Sequence, residues 1–153
     1  MIARVYLDTS VIGGLLDEEF KVHSSKLFED FAKSRYRPVL SEITTAELRD
    51  APAAVRQLLH HEALKGYEFL ELTEDAHFLA SEYISRGVVG SSKLNDARHI
   101  AIATLAKVDM LVSWNFKDIV KISRIHGFNS VNVFFGYQML EIRSPLEVYY
   151  EED

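Results

Sequence analysis

Apolar and polar positions change period several times along this chain, and each change marks an element. Ile2 to Leu7 is a short, apolar, β-branched run, as a buried strand requires. From Ser24 the period becomes helical: Leu27, Phe28, Phe31 and Ala32 share one face, with Ser24 or Ser25 as the cap. Pro38-Val39-Leu40 predicts a second short strand. Ser41 or Thr44 then opens a helix, and Thr44-Thr45-Ala46-Glu47 has capping-box spacing. Pro52 ends that helix and starts another through Val55, Leu58 and Leu59. Glu68 to Leu72 alternates as a strand, and Thr73 caps a helix that Gly87 stops. Beyond the loop Gly90-Ser91-Ser92, Leu94 to Ala106 is the most apolar helix of the chain. Met110 to Trp114 reads as a buried strand, Phe116 to His126 as a helix stopped by Gly127, and Val131 to Phe135 as a last strand.

Strands alternating with helices predict an α/β fold: a three-layer sandwich whose mostly parallel central sheet is flanked by helices. The chain has 153 residues with no repeat, linker or low-complexity tract, so one domain spanning 1–153 is expected, with an acidic tail over about 144–153. In such folds ligands gather beyond the carboxyl ends of the strands. Residues just after each strand are therefore the ones to examine.

Five acidic or amide positions stand there or at helix starts. Asp8 directly follows the first strand, where it serves either as a helix cap or as a ligand-binding carboxylate. Glu47 has a structural reading too, reaching back to Thr44 in a capping box. Asp96 sits among Leu94, Ala97, Ile100 and Ala101, where an ionised carboxylate needs a partner stronger than a helix dipole. Asn115 and Asp118 follow the Met110 strand and also suit an N-cap and the third position of a helix. Together these oxygens can converge on one sheet edge. Clustered carboxylates repel one another unless they hold cations, and an all-oxygen donor set suits Mg2+ or Mn2+. Such a cup is the apparatus of metal-assisted phosphodiester hydrolysis.

Composition and charge narrow the field. Cysteine is absent, which removes disulfides, thiolate zinc sites and cysteine nucleophiles. No uncharged run approaches a membrane span or a signal peptide, so a cytoplasmic protein without membrane contact is expected. The net charge of −6 argues against a nucleic-acid partner drawn in by overall field. Yet Asp8, Glu47, Asp96 and Asp118 belong to the cup, and Glu151, Glu152 and Asp153 to the tail. Setting those seven aside leaves sixteen acids against seventeen bases. A nucleic-acid substrate is therefore admissible, captured by bound metal and a few local bases. His60, His61 and His99 read as surface or packed histidines, because no second well-spaced histidine accompanies them. The late aromatics Phe134, Phe135, Tyr137, Tyr149 and Tyr150 read as core or subunit contacts, with base stacking as the lesser alternative.

Leu7-Asp8-Thr9-Ser10, Thr45-Ala46-Glu47-Leu48, Asn95-Asp96-Ala97 and Val112-Ser113-Trp114-Asn115 resemble, in order and spacing, the successive motifs of PIN-domain ribonucleases. That family includes the VapC-type toxins of toxin–antitoxin pairs. The resemblance runs from Ile2 to about Phe135 and implies a metal-dependent endoribonuclease acting on RNA. It implies Asp8, Glu47 and Asp96 as the acidic triad for Mg2+ or Mn2+, and Ser10 and Ser113 as hydrogen-bonding partners of the ligands. It further implies a cognate antitoxin protein and a homodimer. Arg49, Lys93 and Arg98 flank the acids and are candidates to hold substrate phosphates, or to be counter-ions and solvated surface. The family's fourth acidic position falls on Asn115, an amide and a weaker ligand than a carboxylate, with Asp118 one turn on as its substitute. That departure supports the alternative reading, a catalytically weakened PIN-like module that binds RNA or protein. A receiver-like domain ranks lower, since Asp17 lies too far beyond the first strand and Lys117 falls in a helix start.

Overall fold

The structure, a computed structural model, describes residues 1–148 and Tyr150. Tyr149 and the acidic end Glu151-Glu152-Asp153 lie outside the described residues. Five strands form one sheet: β1 (Ala3–Leu7), β2 (Tyr36–Ser41), β3 (Glu68–Leu70), β4 (Met110–Val112) and β5 (Ile142–Arg143). They lie in the order β3-β2-β1-β4-β5, and every pairing is parallel. The helices are α1 (Thr9–Gly13), α2 (Lys21–Ala32), α3 (Glu42–Arg49), α4 (Ala53–Arg56), α5 (Glu74–Ser85), α6 (Leu94–Leu105) and α7 (Ile122–Phe134). None of the described helices is long and apolar enough to cross a membrane.

Strand alternation divides the core into two halves, one on each face of the sheet. Val5 and Leu7 of β1, Leu40 of β2 and Val112 of β4 meet Val11 and Ile12 of α1 and Leu27, Phe28 and Phe31 of α2. Tyr6, Val39 and Leu111, the intervening residues, meet α5, α6 and α7 on the opposite face. Helices, sheet and helices are thus the three layers. Short α3 sits at the sheet's end and touches both halves, with Ile43 in one and Leu48 in the other.

The sequence pattern misjudges the last third. Gly127 does not stop a helix, and Val131–Phe135 is not a strand: α7 runs through both. Gly127 is where α7 lies closest to Val88, and a Cβ there would stand 2.9 Å from Val88 Cγ1. The glycine allows close packing inside a helix that its neighbours hold. Asn129 and Asn132 face inward from α7 and are hydrogen-bonded there. Asn129 takes the backbone of Leu140 through both its amide groups, at 3.0 and 2.6 Å. Asn132 joins it and accepts the Tyr83 hydroxyl. This network leads the chain from α7 back to β5, a two-residue strand too short to show any period. The residues between Asn115 and Lys121 form turns, so α7 starts later than the pattern suggests.

Candidate metal site at the carboxyl edge of the sheet

The connections leave β1 in opposite senses, toward β2 on one side, while β4 pairs on the other. A cleft forms where parallel strands part in this way. Asp8 ends β1 and Ser113 ends β4, side by side, with the Asp8 N–H on the Val112 carbonyl at 3.1 Å. Asp8 occupies the N-cap position of α1, but its carboxylate makes no cap bond. Instead Oδ2 accepts from both Ser10 Oγ and Ser113 Oγ at 2.7 Å. These hydroxyls are themselves fixed, Ser10 by the Trp114 N–H at 2.9 Å and Ser113 by the Asn115 N–H at 2.9 Å. Trp114 is in turn anchored on Ser24 and stacked on Phe20. Gly14 makes room for that arrangement, since a Cβ would lie 2.6 Å from Ser24 Oγ and 2.8 Å from Trp114 Nε1.

Glu47 is not in a capping box. Ser41 caps α3, with Thr44 as its reciprocal partner, so the box closes three residues earlier than Glu47. Glu47 is left to reach across to α1 and α6. Its Oε1 accepts from Thr9 Oγ1 at 2.8 Å and lies 2.6 Å from His99 Nε2. The same His99 nitrogen stands 3.5 Å from Asp8 Oδ1. One atom each from Asp8, Glu47 and His99 fall within 4.8 Å of one another. Sequence reading gave His99 no part in the site. It is packed, and the packing is against the acids: the ring is fully buried, and its Nδ1 is 2.6 Å from the Tyr6 hydroxyl. The available signal was Tyr6, a polar-tipped ring inside a buried strand whose hydroxyl must find a partner.

Asp96 opens α6 on the rim of the same cleft. Asn115 Nδ2 lies 3.5 Å from Asp96 Oδ2, while Asn115 Oδ1 accepts the Asp118 N–H at 3.0 Å. Asn115 therefore caps the turn, as its type suggests, and touches the acid as well. Asp118 is buried and paired with Lys93 at 3.2 Å. Arg98 reaches only Asn95, at 3.4 Å, and its buried Nε has no partner among the described residues. Arg49 is exposed on the last turn of α3. His60 is exposed, and His61 accepts the Ala63 N–H in a tight turn away from the acids. Phe134 and Phe135 cover Arg86 and Phe78 on the α5–α7 face.

The electrostatics follow from this crowding. Burial, then the charges of Asp8, Asp118 and Glu47, push the Asp96 carboxyl up to about 6, with His99 opposing. Burial would raise Glu47 too, but the His99 hydrogen bond and charge and the Thr9 hydroxyl outweigh it and hold Glu47 below its ordinary range. Burial pulls His99 toward its neutral form, yet the oxygens of Tyr6, Glu47 and Asp8 prevail and keep the ring protonated well above the usual imidazole range. In each of Asp8, Glu47 and Asp96, one oxygen is tied by hydrogen bonds and the other takes none among the described residues. Hard oxygen donors, and an acid whose crowded neighbours make its ionised form costly, fit a divalent cation.

No protein-family model matches the sequence, and no curated protein matches it. Solved structures do. FitAcB from Neisseria gonorrhoeae aligns at a TM-score of 0.59 and 16 % identity, over 94 % of this chain and 99 % of that one. VapBC2 from Rickettsia felis, bound to a DNA fragment from its promoter, aligns at 0.58 and 16 %, over 92 % and 98 %. A toxin–antitoxin complex from Klebsiella pneumoniae aligns at 0.56 and 19 %, over 74 % and 88 %. The chain thus has a VapC-like PIN-domain fold, and the likeness is one of fold.

Proposed function

We propose that this protein, read as a single domain over 1–153, is a metal-dependent endoribonuclease of the cytoplasm and the toxin of a toxin–antitoxin pair. The observation that supports this reading is the convergence of Asp8 and Glu47 on His99 at the carboxyl edge of the sheet, with Asp96 near enough for both charges to raise its carboxyl. Asp8, Glu47 and Asp96 would hold Mg2+ or Mn2+, with Asn115 steadying Asp96. When bound, the cation polarises a phosphodiester and lowers the pKa of an attacking water. Ser10 and Ser113 hold Asp8 in one orientation, and Thr9 does the same for Glu47. Arg98 and Arg49 would meet RNA phosphates through their exposed guanidinium nitrogens. Lys93 neutralises Asp118 and steps back from both substrate and metal. The fold likeness to proteins solved in toxin–antitoxin complexes supports a protein antitoxin as partner, and a homodimer is what the family resemblance implies.

RNA cleavage should vanish in EDTA, return with Mg2+ or Mn2+, and be lost in Asp96→Asn. Cleavage by that variant at the wild-type rate would overturn the mechanism. Mn2+ binding without cleavage of any RNA would favour the weakened binding module, for which Asn115 in the fourth position is the specific observation.

A further inference from the structure

His99 closes a ring of contacts that begins and ends on α3. Ser41 caps α3 by accepting the N–H groups of Ile43 and Thr44. The same Ser41 Oγ lies 2.6 Å from the Tyr6 hydroxyl, and that hydroxyl lies 2.6 Å from His99 Nδ1. On its far side His99 Nε2 meets Glu47 Oε1 at 2.6 Å, and Glu47 returns to α3. Ser41, Tyr6 and His99 are fully buried, whereas about a third of the Glu47 side chain is exposed. Glu47 has three rotatable bonds and open water beside it, so nothing in its own helix keeps it turned toward Asp8. The buried ring does, together with the Thr9 hydroxyl on the same oxygen. Facing a carboxylate, Nε2 carries a proton and donates to Glu47, while Nδ1 donates to the Tyr6 hydroxyl oxygen when the ring is charged and accepts from that hydroxyl when it is neutral.

We propose that His99 is a positioning residue: braced by Tyr6 and Ser41, it holds the Glu47 carboxylate opposite Asp8 so that the cation's oxygens are in place before the cation arrives. This rests on the metal-site reading above and adds a residue to it. Partners of this kind behind a metal ligand change metal affinity by about 10- to 100-fold when lost.

The test is Mn2+ titration followed by electron paramagnetic resonance, which needs no RNA. In His99→Gln the amide sits where Nε2 was and keeps the bond to Glu47. In His99→Asn it sits where Nδ1 was and loses that bond. His99→Gln, which keeps the bond to Glu47 but loses the Tyr6 brace, should bind Mn2+ severalfold more weakly than wild type, and His99→Asn about 10- to 100-fold more weakly. Thermal unfolding of the two should be lowered alike. Tyr6→Phe keeps the core ring, removes only the brace, and should weaken binding severalfold. It carries the test if either histidine variant fails to fold. Equal Mn2+ affinity in wild type, His99→Asn and Tyr6→Phe would overturn the positioning role and leave the metal site standing. An imidazole nitrogen coupled to Mn2+ in the wild-type spin-echo spectrum would make His99 a ligand and also overturn it. Failure of wild type to bind Mn2+ would overturn the metal site itself.

Discussion

The two ends of β1 put charge to opposite uses. At the amino end, Arg4 grips Glu68 of β3 with two parallel hydrogen bonds and donates to the Ala106 carbonyl at 2.8 Å. Its backbone N–H meets Asp109 at 2.7 Å. Arg4, Glu68 and Asp109 each have a partner there. The Arg4 bond holds Glu68 below its usual range, with burial opposing. At the carboxyl end, four residues away, Asp8, Glu47, Asp96 and Asp118 face two cations, His99 and Lys93. One acid is forced up to about 6. A strand that needed only stability would close both ends alike. The unbalanced end is the one beside the parting strands, where an α/β sheet binds its ligand. On the proposed function, the difference separates a structural ion pair from a site built to take a cation.

The sharpest way to break this contrast is at Asp8. Asp8→Asn keeps the shape and one acceptor oxygen for Ser10 and Ser113 but removes the charge. Loss of an outer partner costs about 10- to 100-fold in affinity or activity, so loss of a direct ligand should cost at least about a hundredfold. Cleavage of single-stranded RNA and Mn2+ titration should both show it. Near-wild-type values in both would reduce Asp8 to an anchor for the serines.

The opposite outcome is expected at the other end. Arg4→Ala leaves Glu68 half-buried and without its fork-like partner. Stability should fall by about 1–3 kcal/mol, partly screened by water, or roughly 3–10 °C in Tm for a chain of this size. Cleavage per folded molecule should be unchanged. A loss of turnover at full stability would mean that the two ends are coupled and that the contrast drawn here is false.

How far this was legible in the sequence follows from what each signal depends on. β1, β2 and β4 are buried apolar runs, and their pattern is local, so they were readable. Asp8 stood out by its place just after a buried strand, and Asp96 because a carboxylate beside so much apolar surface is costly wherever the chain goes. Glu47 was readable by motif and misleading by spacing: Thr44-x-x-Glu47 imitates a capping box, and only the structure reveals that Ser41 already holds that role. His99 was hidden because its meaning lies in Tyr6, far away in sequence, and in the pairing of β1 with its neighbours. Gly127 misled because a glycine that ends a helix and one that admits a neighbouring side chain look the same in one dimension. Tertiary packing against Val88 decides between them.

The smallest expected effect is the most discriminating, because it is a gain. The Asp96 carboxyl is held at about 6 in the fold, against 3.8 as its ordinary value. The folded state therefore binds that proton more tightly than the unfolded chain. Its contribution to stability is full below about pH 4, declines as pH rises toward 6, and stays lost above. His99 is shifted upward as well, so its contribution is also full at low pH, but it persists through that window and falls only at higher pH, as the ring loses its proton. Asp96→Asn removes the cost of the ionised acid and keeps an oxygen for the Asn115 amide. Two pKa units are about 3 kcal/mol for a fully buried group; with Asp96 only partly buried, about 1–2 kcal/mol is expected at pH 7.5 in EDTA. That is roughly 3–6 °C in Tm, vanishing near pH 4. With Mn2+ present the order should reverse, since only the wild type is strongly stabilised by the cation. Mn2+ affinity of the wild type should likewise fall about tenfold per pH unit below 6, where the proton competes for Asp96. Thermal melts at pH 4 and 7.5, with EDTA and with Mn2+, check all of this. If Asp96→Asn is instead less stable in EDTA at pH 7.5, the protein satisfies Asp96 by itself, and the carboxyl end of β1 is as closed as the amino end.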